Sequence, residues 1–305
     1  MSKSLDRLTL LDTFVRIAES GSISAAARDL GLSQPSASRQ LAELESRFQA
    51  QLMTRTTHTL SLTAAGSELL ADARRLLDSW EAIEERYIAS KTGIRGSLKV
   101  VAPIALGQLQ LGDIVLQFQQ QHPLLSLSWY LEDNNIRFAE TGCDCWIKIG
   151  SIPDSRLNIE PLGQVKRIVV ATPSLLKAHG QLKTPAALQK LPWVALEPFE
   201  GGLIPLTNRT GKRVTLSPVV RMETNNIFAL RQATLAGLGV AVMPRWFVEE
   251  ALKSKNLVHV LPTWQAPQLT IHAASQPGRY RPQRLSAFLE TIKREVPKIP
   301  GIVGL

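Results

Sequence analysis

The chain has 305 residues, 44% of them hydrophobic and 20% charged, an ordinary globular composition with room for two or three compact domains. It contains no run of 18 or more apolar residues, which excludes a conventional membrane-spanning helix. Its net charge of +9 is unevenly placed: residues 1–92 hold 11 Lys/Arg against 12 Asp/Glu, and residues 93–305 hold 24 against 14.

The first 92 residues read as nearly all helix, with Pro35 the only proline. Leu11, Phe14, Val15 and Ala18 recur on one face of a first helix, which Glu19-Ser20-Gly21-Ser22 breaks. Ser22 is placed to cap an alanine-rich second helix, Ile23–Leu30. Gly31 suits a left-handed stop, Leu32 plugs the turn, and Ser33 caps a third helix whose first turn tolerates Pro35. Along that helix Ala37, Leu41, Leu44 and Phe48 are expected to face inward, leaving Gln34, Ser36, Ser38, Arg39, Gln40 and Glu43 on other faces. Two short helices around a tight glycine turn, the second opening on Gln, Ser and Arg, have helix-turn-helix geometry. The exposed first turn can enter a major groove, where such side chains bond base edges and phosphates. A generic three-helix core would explain the packing equally well, but not so short and polar an exposed face.

Residues 50–62 suggest two short strands with a turn at Thr57-His58, a wing from which Arg55 and His58 could reach DNA. For Arg55 an intradomain ion pair is the competing expectation, and for His58 a solvated loop tip. From there Leu62, Gly66, Leu69, Ala73, Leu76, Trp80, Ile83 and Tyr87 alternate steps of four and three. This heptad seam is expected to pair with a second helix, Leu69, Ala73, Leu76, Trp80, Ile83 and Tyr87 forming a dimer contact; packing on the chain's own core is the alternative.

After Lys91-Thr92-Gly93 the texture changes to strand-like runs (Leu98–Ala102, Leu125–Leu131, Cys145–Ile149, Ile168–Ala171, Val240–Met243) interleaved with helical stretches, as in α/β architecture. Cys143 and Cys145 flank Asp144 at a spacing that would put both sulfurs on one strand face, where a disulfide between them would be strained. Buried thiols are expected, with thiol sensing as the alternative, and Asp144 is read as a structural acceptor. The five histidines are scattered, so no metal site and no cofactor are expected. No nucleophile elbow or phosphate loop is present, so no enzyme is expected. The N-terminal MSKSLDRLTLLDTF is charged where a secretory leader needs an apolar core, which leads us to expect a cytoplasmic protein.

Residues 22–45 (SISAAARDLGLSQPSASRQLAELE), with Leu52-Met53-Thr54-Arg55 and Leu62-Thr63-Ala64-Ala65-Gly66, closely resemble the N-terminal signature of LysR-type transcriptional regulators. The resemblance continues through Ala102–Gly107, Phe118 with His122-Pro123, Asp144–Gly150 and Ala236–Ala241 with Pro244. It implies an all-α winged helix-turn-helix domain over 1–62 and a linker dimerisation helix over 63–92. It further implies an α/β effector domain over 93–305 that is periplasmic-binding-protein-like. The two subdomains of that domain (95–163 with 268–295, and 164–264) would be joined by crossovers near Gly163 and Pro262–Ala266. By matching position, Gln34, Pro35, Ser36, Ser38, Arg39 and wing residue Arg55 take the DNA-contacting role. The cleft would be lined by Pro103, Ile104 and Ala105, by Lys148, Ile149 and Gly150, by the segment after Leu196, and by Thr224, Asn225 and Asn226. The partners implied are double-stranded promoter DNA, further copies of the chain as dimer or tetramer, and a small-molecule effector; RNA polymerase is a candidate fourth. A solute-binding protein or an enzyme on the same cleft fold are the competing function classes.

Five positions depart from the family pattern: Gln49 for a glycine, Met53 for a phenylalanine, Arg137 for an aspartate, Lys148 for an arginine and Trp146 for a small residue. If the C-terminal positive charge is focused on the cleft, the effector is a small anion. Lys148 and the backbone amides after Pro103 and at Thr224–Asn226 would then be its donors. Neutral or aromatic effectors, or none, remain alternatives.

Overall fold

A computed structural model describes residues 6–55, 60–88, 93–180, 182–197, 202–277 and 281–305. His58 lies outside the described residues, as do the side chains of Arg55 and Tyr87.

Helices α1 (Arg7–Ser20), α2 (Ile23–Asp29) and α3 (Gln34–Phe48) pack around Leu10, Phe14, Ile17, Ala26, Ala37, Leu41 and Leu44. Both predicted serine caps form: Ser22 accepts from the Ala25 amide and Ser33 from the Ser36 amide, each at 3.3 Å. The inward face of α3 differs from the sequence expectation at two places. Gln40 is buried, accepting a 2.5 Å hydrogen bond from the Thr13 hydroxyl, while Phe48 at the helix end is 53% exposed. The inward stripe therefore includes one polar residue, tolerable because its acceptor is satisfied and because the bond ties α3 to α1.

The wing forms as an antiparallel pair, β1 (Met53–Arg55) on β2 (Leu60–Leu62). Met53 is buried in the helical core, and the Leu52 and Met53 amides both donate to the Glu45 carboxylate at 2.8 and 3.2 Å. The wing is thus held on α3 by a side chain of α3 itself.

Helix α4 (Ala64–Ile88) spans 25 residues, about 37 Å. Its start touches the wing so closely that a β-carbon at Gly66 would lie 2.0 Å from the Leu52 carbonyl oxygen. Leu70 and Ala73 are buried in the DNA-binding core and Leu69 and Leu77 pack against it. The predicted seam therefore divides. Ala73 is consumed by the chain's own core, whereas Leu76 and Trp80 are 51% and 45% exposed. The reason is geometric: the first turns of α4 lie across α1, so apolar residues there meet that helix before any partner could.

The remainder is two sheet-centred lobes. The first comprises β3 (Gly96–Ala102), a helical run of α5 (Ile104–Leu106), a π turn (Gly107–Leu111) and α6 (Gly112–Gln121), then β4 (Leu125–Leu131), α7 (Phe138–Thr141), β5 (Cys145–Ile149) and β6 (Asn158–Val165). The second comprises β7 (Arg167–Ala171), α8 (Pro173–His179), α9 (Pro185–Gln189), β8 (Pro192–Leu196), β9 (Ile204–Asn208), β10 (Arg213–Leu216) and β11 (Val219–Thr224), followed by α10 (Ile227–Leu235), β12 (Ala241–Pro244), α11 (Arg245–Lys253), β13 (Val258–His259) and β14 (Trp264–Gln265). The chain then returns to the first lobe as β15 (Leu269–Ser275), α12 (Gln283–Glu295) and β16 (Ile302–Val303).

The first sheet has the order β16-β6-β15-β5-β3-β4, with β3 parallel to β4 and β5, and β15 antiparallel to both β5 and β6. Because β6 stays paired in that sheet through Val165, the first crossover falls at Lys166, slightly later than Gly163. No helix among the described residues is long and apolar enough to cross a membrane.

Gln49 occupies the left-handed position that closes α3, at φ 50°, with its amide donating to the Glu45 and Ser46 carbonyls. A side chain there costs about 1–2 kcal/mol that glycine avoids, less what glycine loses in unfolded-state entropy. Gln49→Gly should therefore raise unfolding free energy by about 0.5–1 kcal/mol, measured by urea titration.

Candidate functional site

The start of α3 presents what the sequence reading expects. Gln34, Pro35 and Arg39 are exposed, and Ser36 and Ser38 are half-buried. The Ser36 hydroxyl is shared with its capping neighbour, lying 2.8 Å from Ser33 Oγ, so it serves the helix end first. Glu43 is held by Arg47 at 2.6 Å one turn on, which removes that acidic group from competition with phosphate. Gln40 is withdrawn by its bond to Thr13. Gln34, Pro35 and Arg39 thus form the exposed part of this helix start, on a helix fixed by caps at its start and by Gln40 in the middle.

Between the two lobes lies a cavity of about 720 Å³. Its floor on the first lobe is the carboxyl ends of three parallel strands: Pro103 after β3, Glu132–Asn135 after β4, and Gly150 after β5. Of the expected lining residues, Pro103, Ala105, Lys148, Ile149, Gly150 and Asn225 reach this cavity, and so does Leu196. Ile104, Thr224 and Asn226 do not line it. Two of these residues have their amides occupied, Ile104 N donating to Asp133 at 3.0 Å and Asn226 N to Thr224 Oγ1 at 3.1 Å, while Asn226 Oδ1 caps Phe228 and Ala229. The protein's own side chains thus occupy one amide in each of the two expected donor segments.

Lys148 is half-buried, donates to Asn135 Oδ1, and holds its ammonium 4.8 Å from the centre of the Trp146 ring. Desolvation lowers its pKa and the Asp133 charge raises it, with a net lowering. The carboxylate that Lys148 meets is Asp133; Asp144 instead accepts from the Lys99 amide at 2.7 Å, a structural role. Desolvation raises the Asp133 carboxyl above its ordinary value, opposed by the Ile104 amide, assisted by Glu132 and opposed by Lys148. Among the described residues, the charged side chains on the cavity wall are Lys148 and Arg167 against Glu132, Asp133 and Glu197, so the described wall does not gather the excess positive charge of this half of the chain.

Trp146 is 2% exposed and packs edge-on against Phe138 with ring centres 6.4 Å apart, which seats its bulk in the first lobe as a wall and leaves the cavity open. Trp193 and Trp246 of the second lobe also border the cavity but are buried, at 1% and 8% exposure. Glu197 lies in the expected segment after Leu196, whereas sequence reasoning missed Glu132, Asp133, Arg167, Trp193 and Trp246. For Glu132 and Asp133 a signal existed, since loops at the carboxyl ends of parallel strands are where open α/β sheets bind ligands. The second-lobe residues carry no comparable sequence mark.

Both cysteines are buried, as expected, but they do not share a strand. Only Cys145 belongs to β5; Cys143 precedes it in a turn and sits with Val101, Phe138, Trp146 and Ala274 in a separate cluster from Cys145. Burial pushes the Cys143 thiol up to about 12 and the Cys145 thiol well above its usual value, which suppresses the thiolate on which redox sensing depends.

Comparisons with known proteins agree with this arrangement. Residues 8–67 match the family model for bacterial regulatory helix-turn-helix proteins of the lysR family, and residues 91–297 match the LysR substrate binding domain. The chain is 30% identical over 305 residues to the HTH-type transcriptional regulator PtxR of Pseudomonas aeruginosa, covering 98% of both chains. The solved structure of CrgA, a LysR-type transcriptional regulator from Neisseria meningitidis, is 25% identical, covers 96% of this chain and 99% of its own, and superposes with a TM-score of 0.58. A full-length OxyR variant from Pseudomonas aeruginosa, 18% identical, shares the fold with a TM-score of 0.71 over 98% of this chain and 97% of its own.

A carboxyl whose native pKa is raised keeps its proton in the folded state after the unfolded chain has released it. Stability from this group is therefore present at low pH and lost as pH rises from 3.8 through the higher native value. Asp133→Asn keeps an acceptor for the Ile104 amide and removes the titration. Its unfolding free energy should decline less steeply than that of the parent as pH rises above 3.8, as read by denaturant titrations at a series of pH values.

Proposed function

This chain belongs to the LysR-type family of transcriptional regulators, DNA-binding proteins with an effector domain, and we propose that the exposed start of α3 is its base-reading surface, α4 its self-association surface and the interlobe cavity its effector site. The observation that carries the reading is the pairing of a self-capped helix start with an open cleft between two lobes of one chain. Arg39 is the exposed cation of that helix start, suited to a guanine edge or a phosphate; Ser38 beside it is close enough to share the same base step. Among the described side chains of α4, Leu76 and Trp80 are the large apolar pair left exposed, and burying them against the same pair of a second copy is worth about 25 cal/mol per Å². The effector, held between lobes joined by two crossovers, would change their relative position and through it the regulator's hold on DNA. RNA polymerase is a candidate partner of the DNA-bound form.

The experiment is a mobility shift with DNA from upstream of the chain's own coding sequence. Arg39→Ala should weaken binding by about 1–3 kcal/mol if the contact is to a base, or reduce the salt dependence by about one ion if it is to phosphate. Unchanged affinity in a folded variant would remove α3 from the interface. Leu76→Glu should shift the protein to a smaller species in sedimentation velocity, because the charge would be buried unpaired; equal association of variant and parent would place the dimer contact elsewhere.

A further inference from the structure

Resting on the reading of α3 as the base-reading surface and of the interlobe cavity as the effector site, we infer that Arg74 is an intrachain latch between the DNA-binding half and the first lobe of the effector half, through which a change at the cavity wall reaches the DNA-binding helices. The chain itself joins the two halves once, between the end of α4 at Ile88 and the start of β3 at Gly96. A single covalent connection leaves the halves free to turn about it, and a second contact set back from it removes that freedom. Arg74 supplies such a contact. It lies about 21 Å before the end of α4 along the helix axis, on the part of α4 that meets α1, and α7 of the first lobe packs against the same helix.

The Arg74 side chain is only 16% exposed, and its guanidinium meets both halves at once. On one side Nη2 donates to the Glu19 carboxylate, in the last turn of α1, at 3.2 Å. On the other it lies over Gly142, where a β-carbon would fall 2.2 Å from Nη2 and 2.3 Å from Cζ. Gly142 closes α7 at φ 58°, so backbone and space both call for glycine there. A charge so far withdrawn from water depends on its partners, and Glu19 is the one that ties it to α1. The turn under the guanidinium is built into the first lobe: Lys99 of β3 donates from Nζ to the Thr141 carbonyl at 2.6 Å, and its amide donates to Asp144 Oδ2 at 2.7 Å. The segment that ends at this turn begins in the cavity. Glu132–Asn135 line the wall, Asn135 accepts from Lys148, and Phe138 packs edge-on against Trp146 before the chain reaches Gly142. A molecule seated against that wall therefore pushes on one end of a short segment whose other end lies under Arg74.

Hydrogen exchange read by mass spectrometry on the full-length protein tests the contact. The Thr141 and Gly142 amides are bonded to the Arg137 and Phe138 carbonyls at 2.9 Å, so their exchange reports the order of the turn. Arg74→Met, made in the other half of the chain, should speed exchange over residues 137–143 at least about threefold. Glu19→Gln should do the same through Arg74, whereas Arg75→Met, at an exposed neighbour paired with Asp72, should leave it unchanged. Mobility shifts with the upstream DNA test the coupling. Asn135→Trp, adding bulk at an exposed position of the cavity wall, should change affinity at least about threefold in the parent and less than about 1.5-fold in the Arg74→Met background. Unchanged exchange over 137–143 in Arg74→Met overturns the latch. Faster exchange combined with an Asn135→Trp effect that is absent, or equal in both backgrounds, makes the contact packing alone and overturns its regulatory role. Arg39→Ala keeps the underlying reading separate: weakened binding there leaves α3 as the base-reading surface whatever becomes of the latch, and unchanged binding removes α3 even where the exchange results hold.

Discussion

The side-by-side pairing of β6 and β15 is the constraint on which the effector half depends. β6 carries the chain out of the first sheet and β15 brings it back a hundred residues later, yet the two are hydrogen-bonded neighbours from Leu269–Val165 to Ser275–Asn158. Both connections between lobes therefore leave the same edge of the same ladder, and the second lobe can sit only beyond the end of that ladder. Additional bonds reinforce the junction: Arg167 Nε to the Pro267 carbonyl between the two arms, Lys166 N to Gly301 O, and Arg245 N to Lys166 O. The parallel strands β3, β4 and β5 end at this same border, so their loops become the cavity floor without any dedicated scaffold.

Helix α4 solves a different problem, how one amphipathic helix can serve two surfaces. Its first turns are closed against α1 and the wing by Gly66, Leu70 and Ala73. Its later turns offer Leu76 and Trp80 to solvent. Arg74 sits at the changeover, bonded to Glu19 of α1 at 3.2 Å and lying so close to Gly142 that a β-carbon there would fall 2.2 Å from its guanidinium. One side chain of the linker thus touches both the DNA-binding helices and the turn after α7. That turn leads into β5, whose Trp146 and Lys148 wall the cavity.

The cavity's electrostatics follow from self-neutralisation. Asp133 satisfies a helix-start amide and meets Lys148, which in turn rests on Trp146 and Asn135. Each of these contacts occupies a group that a charged ligand would otherwise use. The large positive excess of residues 93–305 resides elsewhere on the surface, which is why a charge count over the whole domain misjudges the site.

Much of this protein is local and was therefore readable from residues in order. Serine caps, the Pro35 first turn, apolar helical stripes and the strand runs of β4 and β5 depend on neighbours within a few positions, and they appear where spacing places them. The helix-turn-helix was legible because an exposed polar first turn is itself a local pattern. Tertiary structure alone decided which apolar residues of α4 are spent internally, because Ala73 and Leu76 are indistinguishable on the heptad until α1 lies against one of them. It alone withdrew Gln40, whose acceptor needed the distant Thr13 hydroxyl. It alone set the sign of the cleft, since Glu132, Lys148, Arg167 and Glu197 lie far apart in sequence and meet only when two crossovers bring the lobes together. A side chain's preference for helix or strand is carried by the residue itself, whereas the charge and partners of a cavity are sums over segments that only the folded chain makes neighbours.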